Sequence, residues 1–211
     1  EIVIDTRLAT VDTDRVADQK FLALPKLDIA DPDENYKAQW ERYAQSASEV
    51  ITQFSQWSEP LIAREIAAHI RSGTTLYIAS SRPIRDIEGF AAPRSGIETF
   101  ANRGLAGIDG NISTALGIAS QRKESIAIIG DLAFLHDLTG LITDEEINLT
   151  IIVINNDGGG IFSTLSQRGV PGFEKVFGTP HGKDLAAIAH AMGIPAKDRK
   201  STRLNSSHTD I

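Results

Sequence analysis

Two short polar motifs have the composition of a divalent-cation site. Asp131 follows the apolar run SIAII and a glycine, and Asn156 follows the apolar run LTIIVI and precedes three glycines at 158–160. Mg²⁺ gives up its waters reluctantly and takes few protein oxygens, so one carboxylate, one amide oxygen and a carbonyl from a glycine turn form a suitable half-shell. Phosphate oxygens and water would supply the other ligands.

Each motif also has an ordinary structural explanation. The pair Gly130-Asp131 could cap the helix that follows it, and residues 156–160 could form a simple turn. Either explanation is adequate for one motif taken alone. Because both motifs follow successive predicted strands, their joint placement favours a binding site.

The elements that must position these residues alternate between strand and helix. Short apolar, β-branched runs predict four strands, the last two of them fully buried, and patterned segments between and around them predict helices. The predicted strands are 75–79, 98–101, 125–129 and 149–154. The predicted helices include 112–119, 134–142 and 184–192, a helix that begins at Ser58 and stops at Gly73, and a long helix after Asp33. This alternation predicts an α/β fold, a parallel sheet with helices on both faces.

Ligands of such sheets bind outside the carboxyl ends of the strands. Ser81 and Arg85 follow the first predicted strand of the sheet, and Arg103 follows the second. The glycine-rich stretch 102–110 precedes a predicted helix, where backbone N–H groups can face an anion, although it fits neither a P-loop nor a dinucleotide fingerprint. We therefore expect one site at this edge.

The apolar stripe of the long helix after Asp33 is interpreted as a packing surface rather than a binding surface. Apolar side chains recur there at spacings of three and four, as on one face of a helix. They are Tyr36, Trp40, Tyr43, Ala47, Val50, Ile51 and Phe54.

Composition excludes several classes of protein. With 41% hydrophobic and 23% charged residues, the 211-residue chain has the composition of a folded globular protein. Its formal charge of −7 argues against nucleic acid as a partner. The sequence contains no Cys, which excludes disulfides and thiolate nucleophiles and favours a cytoplasmic location. No apolar run approaches the roughly 18–20 residues of a membrane span.

Four segments, in this order, resemble the thiamine-diphosphate-dependent enzymes. Within that superfamily they are similar to the SEPHCHC synthases of menaquinone biosynthesis, which make 2-succinyl-5-enolpyruvyl-6-hydroxy-3-cyclohexene-1-carboxylate. The segments are SRPIRD at 81–86, NRGLAGIDGNISTALG at 102–117, GDLAFLHDLTGL at 130–141 and NNDGGGIFS at 155–163. The resemblance covers about residues 57–195, the diphosphate-binding domain of that family.

The resemblance implies a role for each site residue. Asp131, the side chain of Asn156 and the carbonyl of Gly158 would hold Mg²⁺ or Mn²⁺ against the diphosphate of thiamine diphosphate. Further cofactor contacts would come from Gly130, Leu132 and Ile108, the last of which supports the bent cofactor. Ser81, Arg85 and Arg103 would bind substrate carboxylates. The apolar wall of the substrate pocket would consist of Ile161, Phe162 and Leu165.

The activity implied by the resemblance is that of a transferase. The family decarboxylates 2-oxoglutarate and adds the resulting succinyl carbanion to isochorismate, and guanidinium groups suit such carboxylate-rich substrates. Two alternatives stay open, another thiamine-diphosphate-dependent decarboxylase similar to acetolactate synthase and a non-catalytic diphosphate-binding module. The family's activating glutamate belongs to an N-terminal domain donated by a partner subunit. We therefore expect no catalytic residue in this chain, no activity of the chain alone, and at least a homodimer for the intact protein.

The same resemblance divides the chain into three parts. Residues 1–56 are interpreted as the end of a middle domain with a linker helix. Residues 57–197 are interpreted as an incomplete diphosphate- and Mg²⁺-binding C-terminal domain. The fold as a whole is expected to be truncated at both ends. Residues 198–211 lack apolar periodicity and resemble a translated sequencing adapter, so we exclude them from fold reasoning.

Overall fold

The protein divides into two compact units, Glu1–Thr52 and Gln53–Ile211. The computed structural model describes residues 2–6, 16–26, 31 and 33–200. Most of the segment 198–211, which we interpret as an artefact, lies outside these residues. Over the described residues, no helix is both long enough and apolar enough to span a membrane.

The described residues of the first unit form two short parallel strands and one long helix. Strands β1 (Ile2–Ile4) and β2 (Gln19–Phe21) pair in parallel, and helix α1 covers Glu34–Gln53. The predicted long helix is therefore confirmed. Within the described residues α1 has no buried residue and Trp40 is 61% exposed, so the packing interpretation of its stripe stays a prediction.

The second unit is built on a four-stranded parallel sheet. Its strands are β3 (Thr75–Ile78), β4 (Glu98–Phe100), β5 (Ser125–Gly130) and β6 (Leu149–Ile154), in the spatial order β4-β3-β5-β6. All three strand pairs are parallel. The four predicted strands and the α/β fold are confirmed.

Burial differs between the two strands that we expected to be fully buried. β5 lies between β3 and β6 and is mostly buried, whereas β6 is largely half-buried and Thr150 is exposed. The prediction of a fully buried strand at 149–154 is wrong. The reason is that, among the described strands, β6 pairs only with β5 and forms an edge of the sheet.

In the described part of the second unit, five helices surround the sheet. They are α2 (Glu59–His69), α3 (Arg82–Phe90), α4 (Asn111–Ala119), α5 (Asp131–His136) and α6 (Leu185–Ala191). Short helical turns occupy Leu138–Leu141, Gly160–Thr164 and Glu174–Gly178.

Three of these helices differ from their predictions. The sequence pattern did not predict α3. The helix expected at 134–142 begins instead at Asp131 and becomes a 3₁₀ turn after Asp137. Ser58 precedes α2 as expected, but its hydroxyl donates to the carbonyl of Gln56 rather than capping the helix.

Alternating side chains of the strands divide the core between the two faces of the sheet. On one face, Tyr77 and Ile129 pack in a cluster that includes residues of α4, α5 and α6. On the other, Ile78 and Ile128 pack in a cluster that includes residues of α2 and α3. Both faces are thus covered, as the predicted fold requires.

The order of strands also locates a switch point. The chain runs from β3 to β4 at one edge and then crosses to β5 on the other side of β3. Ligand sites of open α/β sheets lie in the crevice outside the carboxyl ends of the strands at such a point. Here those ends lead into Ser81 after β3 and Asp131 after β5.

Candidate functional site

Asp131 is the charged residue of the predicted metal site, and its side chain is buried. It begins α5 directly after β5 and is 3% exposed. Its Oδ1 accepts from the backbone N–H of Leu132 at 2.7 Å, and its Oδ2 accepts from the backbone N–H of Gly158 at 2.8 Å. The first bond is local, between neighbouring residues in the first turn of α5, and is not an N-cap bond. The second connects the ends of β5 and β6.

His181 contacts the same carboxylate and was not predicted from the sequence. Its Nε2 lies 3.2 Å from Asp131 Oδ2, and its Nδ1 accepts from the backbone N–H of Lys183 at 2.9 Å. Because an accepting Nδ1 carries no proton, the proton is on Nε2, which donates to Asp131. No periodicity or motif in the sequence points to this histidine. It lies 50 residues from Asp131 along the chain, so no local pattern connects the two residues.

Asp157 holds the turn that carries His181. Its Oδ1 accepts from the backbone N–H groups of Gly182 at 2.7 Å and His181 at 3.1 Å. The bond from Gly182, followed by the bond from the backbone of His181, lowers the pKa of Asp157. Asp157 is therefore a structural acid of the loop, in the position between the two predicted ligands.

Asn156 is oriented by a residue from the start of α2. Its Nδ2 donates to Glu59 Oε1 at 3.1 Å. The side chain also lies against Gly160, where a Cβ would stand 2.5 Å from Nδ2. Glu59 is thus a second residue of this site that the sequence analysis missed.

The glycines that follow Asn156 permit a close backbone approach. Gly158 has φ +137°, and a Cβ there would overlap the carbonyl oxygen of Gly178. The N–H of Gly159 donates to that same carbonyl at 2.6 Å. A small cavity of about 100 Å³ adjoins this contact. Its lining includes Asn156, Gly158, Gly160, Ser163, Glu174 and Pro180.

The donor set fits a magnesium ion better than a metal that needs an all-protein cage. The described residues contain no group of three or more His, Cys, Asp or Glu side chains placed to hold a metal. Each carboxylate oxygen has about two acceptor positions, so Asp131 Oδ1 keeps one beyond its bond to Leu132. One carboxylate, one amide oxygen and one carbonyl, completed by phosphate and water, match the oxygen sites that Mg²⁺ uses.

The predicted carboxylate-binding residues follow the two strands at the other side of the sheet. Arg85 is exposed on α3, and its Nη1 donates to the carbonyl of Ser81 at 2.7 Å. Ser81 has φ +73°, a strained conformation for a residue other than glycine. Arg103 is exposed and follows β4, the neighbour of β3. The parallel sheet therefore places both guanidinium-bearing segments at the edge that carries Asp131.

The predicted apolar wall is confined to one turn. Ile161 and Phe162 lie in the turn Gly160–Thr164, and Leu165 follows it. Phe162 and Leu165 are 38% and 41% exposed, so apolar surface faces solvent beside the glycine run. The ring of Phe162 packs 5.7 Å from that of Phe177. Ile108, by contrast, is half-buried against the core of the α4 face.

The N-terminus of α4 is already occupied by an acidic side chain of this protein. Asp137 Oδ2 accepts from the backbone N–H of Ser113 at 2.8 Å, and its Oδ1 accepts from the Ser113 hydroxyl at 3.2 Å. We expected the backbone N–H groups at the start of this helix to face a bound anion. For the N–H of Ser113 that expectation is wrong, because Asp137 already accepts its hydrogen bond. Asn111 is also internally satisfied, since its Oδ1 accepts from the hydroxyl of buried Tyr77 at 2.8 Å.

Comparison with known proteins agrees with the resemblance. Residues 87–209 match the family model described as "Thiamine pyrophosphate enzyme, C-terminal TPP binding domain". A protein of Thermobifida fusca named 2-succinyl-5-enolpyruvyl-6-hydroxy-3-cyclohexene-1-carboxylate synthase is 48% identical over 146 residues, 65% of this chain and 26% of that protein. A Lysinibacillus sphaericus protein of the same name is 46% identical over 170 residues, 77% of this chain and 30% of that protein. The chain spans about 26–32% of the length of the curated relatives it matches.

Proposed function

This chain belongs to the thiamine pyrophosphate enzymes, as their C-terminal TPP binding domain, and from that premise we propose that it is part of a SEPHCHC synthase. The proposed substrates are 2-oxoglutarate, which is decarboxylated, and isochorismate, which receives the succinyl unit. The names of the relatives support this choice.

The observation that carries the cofactor site is the hydrogen bond from Gly158 to Asp131 Oδ2. It joins the loops after β5 and β6, which bear all three proposed metal ligands. Asp131, the amide oxygen of Asn156 and the carbonyl of Gly158 would hold Mg²⁺ or Mn²⁺ at the cofactor diphosphate. Thiamine diphosphate supplies the nucleophilic carbon and the electron sink that decarboxylation of a 2-oxo acid requires.

Around that group, other residues of the chain would contact the cofactor without changing its chemistry. Gly130 and Leu132 flank Asp131 and would lie against the diphosphate. Ile108 would support the bent cofactor from the core side, consistent with its half-buried position.

The substrate half of the proposal depends on charge. Arg85 and Arg103 are exposed at the ends of neighbouring strands in a chain of net charge −7. Each guanidinium can hold a carboxylate by two parallel hydrogen bonds. Two such cations favour acidic substrates over the small neutral acceptors of a simple decarboxylase. Ser81 would complete the polar side of the pocket.

The exposed apolar turn would form the opposite wall. Ile161, Phe162 and Leu165 would exclude water from the reacting carbon and contact the ring of isochorismate. Such exclusion strengthens the interactions of the arginines with substrate carboxylates, because the local dielectric falls. The contact between Phe162 and Phe177 would hold this wall in place.

The proposal extends to the intact protein. We propose that it acts in the cytoplasm as at least a homodimer, with the activating glutamate supplied by an N-terminal domain of the partner subunit. The 211-residue chain alone is expected to be inactive.

Calorimetric titration of the chain with thiamine diphosphate tests the cofactor site. We expect heat of binding in the presence of Mg²⁺ and at least a tenfold loss of affinity when Mg²⁺ is removed by EDTA, since the metal bridges the diphosphate. Binding that does not depend on the metal would refute the site. An absence of binding both by the chain and by the full-length chimera described below would refute the assignment of the cofactor to this chain.

A chimera tests the substrates. The matching 146-residue segment of the Thermobifida fusca relative would be replaced by that of this chain, and product formation would be followed. Arg103→Ala should raise the KM for isochorismate about tenfold or more, because a charge-assisted hydrogen bond contributes about 1.5–3 kcal/mol. Arg71→Ala is the matched control, since Arg71 pairs with Glu124 near the amino ends of β3 and β5. Equal KM values for the two variants would contradict the assignment.

A further inference from the structure

We propose that Glu59 positions the side chain of Asn156, so that the amide oxygen of Asn156 is the atom offered to the metal. This inference depends on the proposed cofactor site. It assigns a role to a residue outside all four motifs, 97 residues before Asn156.

The first argument is chemical. An ionised carboxylate only accepts hydrogen bonds, whereas the two ends of an amide differ, one donating and one accepting. Because Glu59 Oε1 lies 3.1 Å from Asn156 Nδ2, the NH₂ end of the amide must face Glu59. The oxygen is then directed away from Glu59, which leaves it for a cation.

The second argument is steric. Gly160 has no Cβ, and a Cβ there would stand 2.5 Å from Asn156 Nδ2 and 3.1 Å from its Cγ. The amide of Asn156 therefore lies directly against the backbone of Gly160 on one side and is held by Glu59 on the other. A flip of the amide would place its oxygen beside the carboxylate of Glu59, so the observed orientation is strongly favoured.

The third argument concerns the surroundings of Glu59. It lies in the first turn of α2, where the helix dipole favours a negative charge. The pKa of Asp86 is raised, mainly because the side chain is buried. The ion pair with Arg82 lowers that pKa, and the negative charge of Glu59 raises it further. The contact of Glu59 that carries the inference is therefore its hydrogen bond to Asn156 in the loop after β6.

Metal-dependent binding tests the inference. Apparent Mn²⁺ affinity of the 211-residue chain would be measured by calorimetry with saturating thiamine diphosphate. Loss of a residue that orients a metal ligand typically weakens metal affinity about 10–100-fold, so Glu59→Ala should weaken Mn²⁺ binding at least about tenfold. Glu59→Gln keeps an acceptor and should recover part of that loss. Glu88→Ala, which removes an exposed acid of α3, should bind as the unmodified chain does.

A second readout does not need the cofactor. In ¹⁵N-resolved NMR spectra of the chain, the side-chain NH₂ of Asn156, identified by its disappearance in Asn156→Asp, should exchange slowly with water. In Glu59→Ala the exchange should become about as fast as that of a solvated asparagine, and in Glu88→Ala it should not change.

The outcomes separate the inference from the function on which it rests. Normal Mn²⁺ affinity in Glu59→Ala, or an Asn156 amide that exchanges rapidly in the unmodified chain, would overturn the role of Glu59 and leave the cofactor site standing. If neither the unmodified chain nor the full-length chimera shows metal-dependent binding, the proposed function falls and the metal role of Glu59 falls with it. Weakened Mn²⁺ binding together with faster exchange supports the inference.

Discussion

The backbone N–H of Gly158 donates a 2.8 Å hydrogen bond to Oδ2 of Asp131, a carboxylate 27 residues earlier in the chain. This bond makes the loop after β6 and the start of α5 one structural unit. It also means that the acid proposed to bind the metal contributes to the stability of the fold. Changes at either residue should therefore affect folding and binding together.

Asp131→Asn should lower both the free energy of unfolding and cofactor binding. The carboxylate accepts from Leu132, Gly158 and His181, and an amide must turn its NH₂ toward at least one of those donors. A buried donor left without an acceptor costs about 1–3 kcal/mol. Urea unfolding and calorimetry with thiamine diphosphate and Mg²⁺ would measure both effects. Asp144→Asn, at an exposed position, removes the same charge and should change neither.

Gly158→Ala should destabilise the protein, whereas Gly117→Ala should not. Gly158 has φ +137° and its Cβ would overlap the carbonyl of Gly178, while a Cβ at Gly117 meets nothing within 4 Å. We expect a loss of more than about 2 kcal/mol at 158, as for other strained or overpacked sites, and a gain of about 0.5–1 kcal/mol at 117, inside α4. Thermal unfolding would show the two shifts, and shifts of the same sign would contradict the close approach.

Tyr77 should make the protein less stable in alkali. Burial, aided by the charge of Asp137, raises its pKa from 10.0 to about 12. The folded protein therefore retains this proton between pH 10 and 12 while the unfolded chain loses it, so the contribution of Tyr77 is complete below pH 10 and is lost as the pH rises toward 12. Between pH 10 and 12, the free energy of unfolding should fall less steeply with pH in Tyr77→Phe than in the unmodified protein. Urea unfolding at several pH values would measure it.

The same substitution tests the buried bond at neutral pH. Tyr77→Phe removes the hydroxyl that donates to Asn111 Oδ1 at 2.8 Å, and an acceptor left without its donor should cost about 1–3 kcal/mol. Tyr43→Phe, at a position 68% exposed, should change stability by less than about 0.5 kcal/mol. Equal effects of the two substitutions would show that the buried bond contributes nothing.

The ion pair of Arg82 and Asp86 should respond differently to loss of each partner. Nη2 of Arg82 lies 2.6 Å from Oδ1 of Asp86, a residue only 1% exposed. Among the described residues, Oδ2 of Asp86 has no hydrogen-bond partner. Arg82→Ala leaves a buried charge unpaired and should cost about 3 kcal/mol or more. Because burial raises the pKa of Asp86, its ionised form is disfavoured by folding, and Asp86→Asn should cost much less at pH 7. A larger loss of unfolding free energy in Asp86→Asn than in Arg82→Ala would refute this explanation.

Local sequence patterns predicted the strands well because an apolar β-branched run depends only on its own residues. The run 149–154 became β6 with the expected ends. Its burial was not predictable from the same pattern, since an edge strand and a central strand can share one composition and only the pairing distinguishes them. Helix α3 was not predicted although Pro83 lies in its first turn and Ile84 and Ile87 are three residues apart, because a helix of 9 residues with so few apolar side chains shows too little periodicity.

By itself, the sequence determined the order and type of the main elements and the residues placed after each strand: the arginines, Asp131, Asn156 and the glycine run. These follow from properties of near neighbours, namely hydrophobic period, turn chemistry and residue type. Only the tertiary structure decided which partners those residues have. His181 contacts Asp131 across 50 residues and Glu59 contacts Asn156 across 97. Such pairs depend on the path of whole loops over a packed sheet, and no local pattern records that path.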